Sequence, residues 1–304
     1  MTGTPAGAGG GDERAPHAPD VAGQAGDPAQ AGEPTPHAGD LAGRAWDPAQ
    51  YLKFADHRLR PALDLVGRIP LAEPERIYDL GCGSGNVTRL LAERWPGAAV
   101  TGVDNSPQML ERARATRSRV RWQHGDLSDW QPDAAPSLLY CNAVIQWLPD
   151  HGELITRLWS LLPSGGCLAV QAPQSWDLPS HRLIRETLAA GGAGGAPFGS
   201  AELRQAVGRR WLHEPGFYYD LLAAESAQLD VWTSEYQHVL SGADAVLEWV
   251  TGTTLRPILR ALEGDERDAY LATLRRRLSR VYPMRADGIT LYPFRRLFFV
   301  AVRR

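Results

Sequence analysis

The sequence predicts an α/β fold with a mostly parallel sheet and crossover helices. Three observations carry this. The apolar run Ile77-Tyr78-Asp79-Leu80 leads directly into Gly81-Cys82-Gly83-Ser84-Gly85 and then into an amphipathic helix with Val87, Leu90, Leu91 and Trp95 at helical spacing. Strand-like and helix-like segments alternate from residue 76 to residue 172, which calls for parallel strands joined by crossovers. A last run, Ile289 to Val302, is rich in aromatic and β-branched residues and reads as a late strand.

In order, Tyr51 to Arg68 reads as a helix with Tyr51, Phe54, Leu59, Leu63 and Val66 as its apolar residues. Strands follow at 76–80, 99–103, 120–124, 137–142 and 166–172, and helices at 86–95, 107–116 and 151–162. Pro173 and Pro179 interrupt this pattern. Residues 181–223 read as helical with a break at Gly191 to Gly195, and 243–281 as two or three helices. Between them Leu229 to Leu240 alternates as a strand. Residues 1–44 are rich in Gly, Ala, Pro and acids and have no periodic apolar residues. Such a segment buries too little surface to offset its ordering entropy, so it is expected to be a disordered N-terminal extension, with the folded domain spanning 45–304.

Composition sets bounds. At 304 residues, 43% hydrophobic and 22% charged, the chain has an ordinary globular balance. A net charge of −3 opposes a nucleic-acid footprint, which calls for basic excess. Cys82, Cys141 and Cys167 have no metal-ligand spacing and fit reduced thiols of a cytoplasmic protein. No secretory signal or membrane-length apolar run is evident, so no membrane partner is expected.

The loop spacing is G-x-G-x-G, not the G-x-G-x-x-G of dinucleotide binders. Asp79, two residues before the first glycine, suits a ligand carrying a cation better than a pyrophosphate. Glycines let backbone approach a ligand, and the following helix N-terminus offers free N–H groups. Asp104 lies nineteen residues beyond Gly85, at the tip of the second strand, where an acid takes both hydroxyls of a ribose. A glycine turn of a dehydrogenase or of a flavodoxin-like domain is the plain alternative.

D-L-G-C-G-S-G followed by G-V-D-N-S resembles the class I S-adenosylmethionine-dependent methyltransferases. The resemblance implies a Rossmann-like, mostly parallel seven-stranded sheet with a late antiparallel strand. It also implies a helical substrate lid, here at about 181–223 and 243–285. S-adenosylmethionine is the implied cofactor, held at Asp79, Gly81, Gly83, Gly85, Asp104, Asn105, Asp126, Leu127 and Asn142. Asp126, in Q-H-G-D-L, would receive the adenine amino group and Leu127 would supply a backbone N–H. By position alone, an acid at that strand end lies in the ligand crevice or caps a helix. Asn142 ends the fourth strand, where an amide can bond an aminocarboxyl group or a substrate oxygen. Gln146 and Trp147 follow; for Trp147, packing against the loop is the simpler reading.

Trp249-Val250-Thr251-Gly252-Thr253-Thr254-Leu255-Arg256-Pro257 places small donors and a guanidinium between two helices, a set suited to a carboxylate. A capped helix junction with a solvated Arg256 is the alternative. Trp176, Trp211, Tyr218, Tyr219, Trp232 and Trp249 are each more often core than site. Together with 54–70, 146–151, 218–222 and 293–301, this segment is similar to the trans-aconitate 2-methyltransferases from Trp46 to the chain end. That resemblance implies O-methylation of a carboxylate of a small polycarboxylic acid, with Arg58, Tyr219, Arg256 and Arg295 as substrate-binding candidates. A carboxylate is ionised at neutral pH, so positioning suffices and no catalytic acid or base is expected. Three other readings compete. One is a methyltransferase for another small molecule, such as a natural product or an acyl-carrier-bound acid. One is a nucleic-acid methyltransferase, opposed by the charge and by the lack of an N/D-P-P-Y/F motif. The third is a cofactor-binding protein without catalysis.

Overall fold

A computed structural model describes residues 55–304 except 193 and 211, with side chains from Leu59 onward. The expectations for residues 1–44 and for order from Trp46, with Tyr51 and Phe54 as helix contacts, lie outside the described residues. So does the Arg58 side chain.

Helix α1 (Ala55–Val66) precedes the sheet. Four parallel pairings then follow the predicted alternation. They join β1 (Arg76–Leu80), β2 (Ala99–Asp104), β3 (Arg121–His124), β4 (Leu138–Asn142) and β5 (Cys167–Pro173). Helices α2 (Asn86–Arg94), α3 (Pro107–Ala115) and α4 (His151–Ser160) are the crossovers. Two long strands, β6 (Ser226–Ser241) and β7 (Ile289–Arg303), complete one sheet in the order β3-β2-β1-β4-β5-β7-β6. β7 runs antiparallel to both β5 and β6. The predicted seven-stranded sheet with one reversed late strand is therefore present among the described residues.

Strand alternation sorts the core into two faces. Ile77, Leu138, Tyr140, Cys167, Ala169, Phe298 and Val300 pack on one face with Leu65 of α1. Tyr78, Leu139, Cys141, Leu168, Val170, Leu297 and Phe299 pack on the other, against α4 and α7 (Pro215–Leu222). The Tyr140 hydroxyl donates to Ala62 O at 3.0 Å and ties α1 to the first face. All three cysteines are free and buried.

The late helices form a third packed cluster. α5 (Pro179–Ala190), α8 (Ala245–Thr251), α9 (Arg256–Ala261) and α10 (Gly264–Val281) bury Ile184, Leu188, Trp249, Val250, Ile258, Tyr270 and Leu274 against Leu240, Tyr292 and Phe294. The break read at Gly191 to Gly195 separates α5 from α6 (Ala201–Val207). Pro179 opens α5 at its first turn, where the missing N–H costs nothing. No described helix is long and apolar enough to cross a membrane.

Candidate active site

The glycine loop joins β1 to α2 at the carboxyl edge of the sheet. Gly81, Gly83 and Gly85 all have positive φ, at 74°, 56° and 77°. The three serve different neighbours. A Cβ on Gly81 would enter the Val144 side chain, and one on Gly85 would enter the Trp122 ring. Gly102 of β2 is shaped by the same ring. Of the three loop glycines, Gly83 alone has a Cβ position that would meet nothing within 4 Å. Close ligand approach, expected of the whole loop, is thus a property of Gly83. Gly81 and Gly85 are glycine because Val144 and Trp122 occupy the space. Trp122 escaped the sequence reading; its partial burial on the short strand β3 left no periodic signal.

Asp104 ties the loop to β2. Its Oδ2 accepts from Gly83 N at 2.8 Å and its Oδ1 from Ser106 N at 2.9 Å. Burial pushes this carboxyl up, and the two backbone N–H groups pull it back. Each oxygen keeps a lone pair for a further donor. Asp79 is buried and its Oδ2 accepts from the Thr88 hydroxyl at 2.6 Å. Burial, with the Asp104 charge adding to it, raises Asp79 to about 7, against the opposing Thr88 bond. Asp79 and Asp104 lie close enough for the charge of one to act on the other, and Asp104 alone is bonded to Gly83.

Asp126 and Asn105 also come together, since the Asn105 side chain bonds the Asp126 carboxylate. The Asp126 Oδ1 further accepts from Ser128 N at 2.8 Å and Ser128 Oγ at 2.7 Å. These bonds, the Ser128 N–H first, hold the carboxyl below its usual range. Asp126 therefore caps a turn after β3 and not a helix, since the chain runs from β3 to β4 with no helix between, while lying at the strand end that borders the crevice. Leu127 is buried and its carbonyl accepts from Arg157.

Asn142 pairs in register with Gln171 of β5 and lies one residue beyond the Leu80–Cys141 pair, level with Gly81. Gln146 donates to Ala143 O at 2.6 Å, and Trp147 is exposed at 39% rather than packed. Behind them sits His151, unremarked in the sequence beyond the Q-W-L-P-D-H string. It is fully buried, its Nε2 donates to Ile145 O (2.8 Å) and Leu148 O (3.1 Å), and its Nδ1 accepts from the Tyr218 hydroxyl (2.6 Å). Burial lowers its pKa, so it is a neutral clamp between this loop and α7.

The substrate-side candidates divide between the two sides of the sheet. α1, which carries Arg58, lies over the first face, and the cluster bearing Arg256 packs on Tyr292 and Phe294 of that same face. Tyr219 is exposed on α7, over the opposite face, while its neighbour Tyr218 stacks on Phe299 at 5.0 Å. Arg295 is exposed and alternates with buried Arg296 on β7, so the two point to opposite faces. The hydroxyls of the Thr-rich segment are mostly occupied. Thr251 donates to Leu247 O at 2.7 Å, and Thr253 reaches Trp249 O and Val250 O at 3.5 Å. Thr254 bonds His181 Nε2 at 3.0 Å. Burial lowers His181 to about 3, and this imidazole, bonded also to Ser180 Oγ at 3.1 Å, stays neutral.

Residues 77–166 match the methyltransferase domain family. A trans-aconitate 2-methyltransferase of Azoarcus sp. (strain BH72) is 49% identical over 253 residues, covering 83% of this chain and 97% of that protein. The chain belongs to the trans-aconitate 2-methyltransferase family. A second member, from Methylobacterium radiotolerans, is 46% identical over 251 residues, covering 83% of this chain and 95% of its own. A solved protein of Bacillus halodurans, 14% identical, aligns over 79% of this chain and 97% of its own with a TM-score of 0.52, a likeness of fold.

Proposed function

We propose that the chain transfers a methyl group from S-adenosylmethionine to a carboxylate of a small polycarboxylic acid, trans-aconitate giving its monomethyl ester. The observation that carries the cofactor assignment is the buried Asp79–Gly83–Asp104 cradle, with one open glycine between two acids. Asp79 suits the cofactor's cationic end. Asp104 suits the ribose hydroxyls, and Asn105, Asp126 and Leu127 suit the adenine end. Gly81, Gly85 and Asn142 frame the crevice. Bound S-adenosylmethionine supplies a methyl group activated by a sulfonium.

The protein's own part is alignment. A carboxylate with a pKa near 4 is already ionised at neutral pH, so no general base is called for. The neutral, buried His151 and His181 fit that absence, because both are engaged with protein groups. Holding the acid in line and excluding water is the contribution left to the site. Arg256 is the leading candidate for clamping a carboxylate that is not methylated, followed by Arg58, Tyr219 and Arg295. The domain assignment goes with this reading: a methyltransferase domain from 45 to 304, an extension over 1–44, and a helical lid from the late cluster.

The test is incubation with labelled cofactor and a panel of mono-, di- and tricarboxylic acids, read by mass. Arg256→Lys keeps the charge and loses the planar two-point fork. It should lower kcat/KM for a tricarboxylate about 10- to 100-fold and leave a monocarboxylate nearly unchanged. Equal losses for both would make Arg256 structural, and no ester from any polycarboxylic acid would refute the substrate class.

Asp79 gives a pH signature. Its folded value, about 7, exceeds that of an unfolded aspartate, so its contribution to apo stability is present at low pH and lost as pH rises through about 7. A bound cation favours the carboxylate and so opposes the proton. Cofactor affinity should therefore weaken below pH 7, approaching tenfold per pH unit. Asp79→Asn should flatten that dependence and stabilise the apo protein at pH 8. Calorimetry between pH 5.5 and 8 reads the first effect and thermal melts the second; a flat wild-type affinity profile would contradict it.

A further inference from the structure

Asn142, Gln171 and Arg296 form a hydrogen-bond row on the first face of the sheet. Asn142 pairs with Gln171 across β4 and β5, and Gln171 pairs with Phe298, whose strand alternation places Arg296 on the same side. Gln171 is fully buried, Arg296 is 6% exposed, and Asn142 is half-buried at the crevice end. A guanidinium can only donate. Gln171 must therefore turn its amide oxygen to Arg296 Nη1, at 3.0 Å, where it also accepts from Ala172 N at 3.1 Å. Its amide nitrogen then donates to Asn142 Oδ1 at 2.7 Å. With its oxygen turned to Gln171, the planar amide of Asn142 points its NH2 the other way, toward the crevice.

We propose that Arg296, acting through Gln171, fixes Asn142 as a hydrogen-bond donor to a ligand carboxylate, making the site selective for an oxygen-anion ligand over an amine. The inference rests on the methyltransferase reading and adds to it the polarity of one contact. An amine nucleophile would need an acceptor at this position; the row presents a donor. Gln171 and Arg296 are positioning residues, and Asn142 is the group that touches the ligand. A carboxylate can come from the acid substrate or from the aminocarboxyl end of the cofactor.

Two variants reverse the polarity. Asn142→Asp replaces the donor by an acceptor. Gln171→Glu places a carboxylate against Arg296, which holds it in the fold, and leaves Asn142 no donor to accept from. The Asn142 amide then turns its NH2 inward and its oxygen to the crevice. Both variants should lose about 30- to 150-fold, the range for a hydrogen bond to a charged group. Melting temperatures should stay within a few degrees of wild type. A loss in kcat/KM for the acid with cofactor Kd unchanged assigns the contact to the substrate; a loss in cofactor Kd assigns it to the cofactor. Arg296→Lys, still donor-only, should stay close to wild type in both. Wild-type values for Asn142→Asp, or a loss there without one in Gln171→Glu, would overturn the proposal. Should Gln171→Glu not fold, Gln171→Met removes the orienting amide, and an unchanged kcat/KM and Kd in it would overturn the proposal equally. A wild-type enzyme that methylates no acid would refute the underlying function; one that does, with Asn142→Asp matching it, would refute the row alone.

Discussion

Replacing Asp104 by alanine should weaken S-adenosylmethionine binding about 30- to 150-fold, from loss of roughly 2–3 kcal/mol of charged hydrogen bonding. The structure adds a second effect. The same carboxylate holds Gly83 N at 2.8 Å and Ser106 N at 2.9 Å, so the variant also releases the glycine loop from the tip of β2. Asp104→Asn separates the two contributions. Its amide keeps one acceptor and turns an NH2 toward the other backbone N–H, so binding should fall again, with two donors now facing each other. Isothermal calorimetry on folded variants is the measurement. Unchanged affinity in Asp104→Ala would remove the cofactor site from this cradle.

The second large effect is on stability. His151→Ala should cost about 3–5 kcal/mol, because it opens a cavity and strips partners from buried polar groups. The groups left behind are the Tyr218 hydroxyl and the Ile145 and Leu148 carbonyls. For a domain of this size the melting temperature should drop about 6–15 °C. Tyr218→Phe keeps the ring stacked on Phe299 but removes the hydroxyl that donates to His151 Nδ1 and accepts from His213 N at 3.2 Å, so its cost should be about 1–3 kcal/mol. A melting shift below about 2 °C in His151→Ala would mean that the imidazole clamps nothing. Because His151 fastens the loop of Gln146 and Trp147 beside Asn142, turnover should also fall in the folded fraction.

The parallel core, the reversed last strand and the Asp79–Asp104 cradle were legible in the sequence. Each depends on short-range patterning: an apolar run, a glycine turn and a helical face lie within a few residues of one another, and local chain geometry leaves them few other arrangements. The late segments were legible as elements and, through their likeness to a family, as part of one enzyme.

What each residue does there depended on neighbours far away in the chain. Gly85 is glycine because of Trp122, and Gly81 because of Val144, contacts that only the packed sheet creates. Thr251 and Thr253 read as ligand donors, yet helix formation turns their hydroxyls back to carbonyls one turn earlier, leaving Thr254 to meet His181. Arg295 and Arg296 are adjacent and chemically alike, and β7 is buried on both faces from Arg296 to Ala301, so no alternation in the sequence says which arginine turns inward. The register with β5 decides it, setting Arg296 beside Gln171 and Arg295 at the surface. The sequence by itself determined the fold and the placing of the glycine loop between Asp79 and Asp104, because those follow from local periodicity. The tertiary structure decided which donors face the crevice, because hydrogen-bond direction is settled by whichever partner lies opposite.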